Sequence, residues 1–142
     1  MAALMIGCGG DGGDGDTSPT AADPCNIPPV EWRTITWEGA DGGLTLTLST
    51  LTRGVIRAAA DWDKPANNVD LYLTDASCQL LPPIAPGPPP CQTIYASAEG
   101  SSNKPELLEA CVNAGTYQVM LVDRGLTRNK VVITIEAAAG TP

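Results

Sequence analysis

The stretch Gly43–Thr50, GLTLTLST, alternates strictly between leucine and a hydroxyl-bearing residue before its final Ser-Thr pair. Successive side chains of an extended strand point to opposite faces, so Leu44, Leu46 and Leu48 form one apolar face and Thr45 and Thr47 the other. A helix would scatter the same leucines around its circumference. The stretch therefore reads as a half-buried strand with its polar face to water. The same reading extends to VEWRTITW, GVIRAAADW, NVDLYLTD, QTIYASAE, TYQVMLVD and KVVITIEA, each bounded by turn-forming residues. No helix is predicted, and KPELLEAC stays open between one helical turn and the start of a strand. About eight such strands predict an all-β fold, an antiparallel β-sandwich of the jelly-roll kind.

Between these strands the connections carry their own information. The glycines of EGADGG permit the positive φ that a hairpin needs, which predicts that VEWRTITW and GLTLTLST pair through it. LLPPIAPGPPP must be a loop, because proline fixes φ and removes a donor from any ladder. The chain divides into a segment 1–26 poor in apolar pattern, a sandwich domain 27–138 and a short tail 139–142.

Charge and cysteine narrow the function classes. A formal net charge of -8 repels phosphate backbones, so no nucleic acid is expected as a partner. The chain has no histidine, which excludes Ser-His-Asp and Cys-His catalysis by its own residues and removes the commonest zinc ligand. Apart from Cys8 there are four cysteines, Cys25, Cys78, Cys91 and Cys111, a number that fits a disulfide framework in an oxidising compartment. Three connectivities are open. Cys78 with Cys91 is favoured because they flank the Pro-rich segment, leaving Cys25 to clip the start of the domain to Cys111.

Leu4-Met5-Ile6-Gly7-Cys8 is followed by GGDGGDGDTSPTAADP, which has no apolar periodicity and reads as a flexible tether. An apolar run ending in a small residue and then cysteine resembles the lipobox of bacterial lipoproteins. The resemblance implies cleavage before Cys8, lipidation of Cys8 and a membrane partner reached through that anchor. Gly9 in the next position implies the outer membrane. Met1–Ile6 holds neither Lys nor Arg and is short for a signal peptide, so Met1 fits an internal methionine of a longer precursor.

Two later segments carry a second likeness. AAADWDKPANNVDLYLTD, residues 58–75, and VNAGTYQVMLVD, residues 112–123, resemble the tryptophan, DLDLYL and PGTYYV strands of bacterial pre-peptidase C-terminal domains. What this resemblance implies is a small non-catalytic jelly roll of secreted proteins with a binding role, in which Trp62 packs in the core. The sequence departs from that pattern at Asn68, where an aspartate is common, and in its Pro-rich insertion.

Candidate sites follow from residue chemistry. Asp61, Asp63, Asn67, Asn68 and Asp70 offer hard oxygen ligands of the kind calcium takes, in a spacing that is not an EF-hand. The competing reading is that they cap turns. Trp32 and Trp37 lie an odd number of residues apart in one strand, which predicts Trp37 inward with Ile35 and Trp32 outward, open either to stacking on a sugar ring or a partner or, the favoured reading, to partial cover by the tether or the next strand. Asp75, Glu99 and Asp123 are expected to be scattered surface acids rather than a catalytic pair, and Arg124 to belong to a turn. The expectation is therefore a non-catalytic cell-envelope or extracellular module binding a polysaccharide or protein. The alternative is a homo-oligomeric subunit of a filament, coat or surface layer.

Overall fold

The computed structural model describes residues 20–80, 86–100 and 104–142. Cys8 and most of the expected tether lie outside the described residues. Eight strands follow a 3-10 turn at Pro24–Asn26: β1 (Val30–Gly39), β2 (Gly42–Thr50), β3 (Gly54–Trp62), β4 (Val69–Asp75), β5 (Ile94–Ala98), β6 (Glu106–Val112), β7 (Gly115–Asp123) and β8 (Asn129–Ala137). KPELLEAC thus resolves as the strand β6.

The strands form two four-stranded antiparallel sheets, with order β1-β8-β3-β6 in sheet A and β2-β7-β4-β5 in sheet B. The first strand pairs the last, the second pairs the seventh, the third the sixth and the fourth the fifth. That nesting is one long hairpin rolled into a double sheet, the jelly roll. Between the sheets, Leu46, Leu48, Ile56, Ala58, Trp62, Leu71, Leu73, Val119, Leu121, Ile133 and Ile135 make the core. Every one of them comes from the apolar phase of its strand.

The rolled topology corrects the expected β1–β2 hairpin. β1 bonds to β8 and β2 to β7, so the link through Ala40 and Asp41 carries the chain from one sheet to the other. The positive φ there belongs to Asp41 rather than to a glycine. Gly43 is needed for another reason: a Cβ on it would stand 2.0 Å from the carbonyl oxygen of Leu121 on the neighbouring strand.

Strands β4 and β7 are buried on both faces over most of their length. The Pro-rich insertion explains it. Tyr72, Met120 and Val122 on the outer face of sheet B pack with Cys78, Leu80 and Cys91, making a second, small apolar cluster. Cys78 is bonded to Cys91 and Cys25 to Cys111. The second bridge, with the Asp23–Arg53 ion pair, holds the 3-10 turn to the sheet A end where β3 begins.

Candidate functional site

Sheet A has an outer face that faces no other sheet. Reading across the ladder register, Leu107, Ala59, Thr134 and Thr34 form one row, and Asp61, Val132 and Thr36 the next. Ala59 is the small residue between larger neighbours, so the face dips there. The hollow is a groove of about 540 Å³ lined by Ala59, Asp61, Trp62, Asp63, Pro105, Lys130, Val132 and Thr134. Val132, 39% exposed, and Leu107, 59% exposed, give it an apolar flank. A row of Glu109, Arg57 and Glu136 closes the face on one side: the Arg57 guanidinium bonds Glu109 at 2.6 Å and Glu136 at 3.0 Å.

The charged end of the groove is fixed by the loops below it. Asp123, fully buried at the end of β7, accepts from the Gly125 N–H at 2.8 Å and the Asn129 side-chain amide at 3.1 Å. The Asn67 amide donates to the same carboxylate at 3.3 Å and to the Thr127 carbonyl at 2.6 Å. This polar clasp ties the β3–β4 and β7–β8 loops together. From it, the Lys64 N–H reaches Asn129 Oδ1 at 3.1 Å, and the Lys130 N–H reaches Asp63 Oδ1 at 2.9 Å. That backbone N–H of Lys130, together with the charge of Lys64, holds the Asp63 carboxyl below the usual carboxylate range. Lys104 pairs with Asp61 at 3.6 Å, lies 5.1 Å from the centre of the Trp62 ring and donates to the Trp62 carbonyl.

The five residues expected to hold calcium fall into two groups. Asp61 and Asp63 edge the groove with lysine partners. Asn67, Asn68 and Asp70 sit with β4, where Asn68 donates to Asp70 at 3.1 Å and Asp70 accepts from Arg124 Nε at 2.6 Å. Among the described residues no three Asp, Glu, Cys or His side chains form a metal-holding group.

Trp32 is a correction. A bulge between Glu31 and Arg33 adds one residue to β1 and resets the alternation, so Trp32, Ile35 and Trp37 all pack against the core. Its indole N–H donates to the Pro142 carbonyl at 2.6 Å, and the Arg33 guanidinium lies 4.7 Å from its ring centre. Trp62 is buried, and its N–H donates to the Asn67 carbonyl.

The three acids do not converge. Asp75 caps the turn after β4 through the Ser77 N–H, Glu99 accepts from the Tyr72 hydroxyl, and Asp123 is buried rather than superficial. Asp123 leaves the surface because three donors await it inside. Arg124 is likewise more than a turn residue: it joins Asp70, the Tyr72 hydroxyl at 3.3 Å and the Gly87 carbonyl of the Pro-rich insertion at 2.6 Å. Burial, with the hydrogen bond to Glu99, pushes the Tyr72 phenol well above its ordinary range, so it acts there as a donor. Sequence reasoning missed the groove altogether, since its floor is an unremarkable alanine whose neighbours come from strands far apart in the chain.

No protein-family model matches the chain, and no curated protein matches it.

Proposed function

We propose that this chain is a non-catalytic binding module of the bacterial cell envelope, lipid-anchored through Cys8, which holds an extracellular polymer or partner protein in the sheet A groove. One observation carries the reading. The bridge Cys25–Cys111 fastens the N-terminal turn beside the start of β3, whereas the groove is lined by the last residues of that strand. From Val55, the ladder partner of Cys111, to the lining residues Ala59, Asp61 and Trp62 the strand runs four to seven residues, roughly 13–23 Å at a rise of about 3.3 Å per residue. A module held at the first end presents the groove end away from its point of attachment. The four cysteines paired in two disulfides support an oxidising compartment.

The test is cross-linking in the native envelope from a photoreactive residue placed at Thr134 on the groove floor. A discrete adduct with a different protein or a polysaccharide is the expected product. A ladder of self-linked multiples would replace the reading with a self-assembling envelope subunit. No adduct from Thr134, with adducts from a control position on sheet B, would remove the groove from the function.

A further inference from the structure

The chain contains three lysines, and all three gather at the groove. Lys130 lines it, Lys64 pairs with the lining residue Asp63 at 3.6 Å, and Lys104 pairs with the lining residue Asp61 at 3.6 Å. With Glu38, the cross-strand partner of Lys130, and Arg128, which pairs with Glu38 at 3.2 Å, four cations stand against three carboxylates, a locally cationic spot on a chain of net charge -8. Charges more than about 8 Å away are largely screened at physiological salt, so the local balance governs contact. Among the described residues Lys130 is in no ion pair, and neither is Arg33, which lies over the Trp32 ring instead; Lys64, Lys104, Arg53, Arg124 and Arg128 are paired, and Arg57 is paired twice. The Asp61 and Asp63 side chains are 69% and 50% exposed, so their pairs with lysine are the weak kind that exchange partners readily.

Resting on the reading of the groove as the binding site, we infer that its ligand is an acidic polysaccharide, with a carboxylate or sulfate of the sugar set against Lys130. The floor fits the rest of such a ligand. Ala59 leaves depth for a ring, Val132 and Pro105 offer apolar contact to its C–H face, and Thr134, whose hydroxyl meets that of Thr34 on the neighbouring strand at 3.3 Å, offers a hydroxyl to the ring's own. A polymer carrying one charge per ring or two matches one unpaired lysine. A denser polyanion would meet the acidic remainder of the molecule.

The test is affinity electrophoresis of the full chain in gels containing polygalacturonate, alginate or hyaluronate, with dextran as the neutral control. Retardation by at least one acidic polymer and none by dextran is the expected result, abolished at 0.5 M salt, roughly a 3 Å to 5 Å screening length. Lys130→Ala weakens it about fivefold, the scale of one exposed charge contact. Ala59→Leu fills the floor and abolishes it; an unchanged melting temperature of that variant shows that the groove and not the fold was lost. Retardation that Lys130→Ala leaves intact, equal retardation by polyglutamate, or none by any of the three polymers overturns the inference. The Thr134 cross-link separates the failures: an adduct with a protein keeps the groove as the site and removes only the sugar.

Discussion

Asp123 and Glu106 show what single carboxylates do in this domain. Asp123 accepts from donors contributed by the β3–β4 loop, the β7–β8 loop and the start of β8. Asp123→Ala leaves those buried donors unmet, and unfolding in urea should show a loss of about 3 kcal/mol. Glu106 has no such set among the described residues. Burial pushes its carboxyl above the usual range, the Gly100 N–H opposes that, and the Asp70 charge adds to it. A raised folded value means that the stability this group contributes is present below about pH 4.5, its unfolded value, and is lost as pH rises through the folded one. Glu106→Gln should therefore be more stable than the parent at pH 7, and the gap should close below pH 4.5; urea midpoints across that range decide it. Neither role was legible in the sequence. Asp75, Glu99 and Asp123 are equivalent letters at strand ends, and what buries one of them is a pair of asparagines, 56 and 6 residues away.

At the scale of the strand, the two-residue period was legible because burial on one face enforces it. Leu44, Leu46 and Leu48 point inward as their spacing demands. The period failed where one residue was added. The bulge in β1 leaves no mark in VEWRTITW, yet it turns Trp32 from the outer face to a half-buried place against the core. The β1–β2 link failed differently, because a tight turn inside a sheet and a tight crossing between sheets use the same residues. Gly43 marks the distinction after the fact, through its contact with β7. Gly43→Ala must push β2 from β7 to clear the Leu121 carbonyl, and thermal unfolding should report a loss of about 3 kcal/mol.

For the whole molecule, nested pairing makes most contacts distant in sequence, which predicts refolding in milliseconds to seconds rather than microseconds. The two bridges differ in what they restrain. Cys25–Cys111 spans 86 residues and Cys78–Cys91 spans 13. On the chain-entropy account, replacing the first pair by serine costs roughly 4–5 kcal/mol and the second about 3 kcal/mol, an order that urea unfolding of the two double variants checks. One consequence of the first-with-last pairing reaches beyond stability. Val30 stands opposite Ala137, so the domain leaves the chain through two adjacent points at one end. Joining those points by a short peptide and opening the backbone at the exposed Leu51 turn would give a circular permutant with every ladder intact. The jelly roll is in that sense a closed ring of strands, able to sit within a host loop as readily as at the end of a tether.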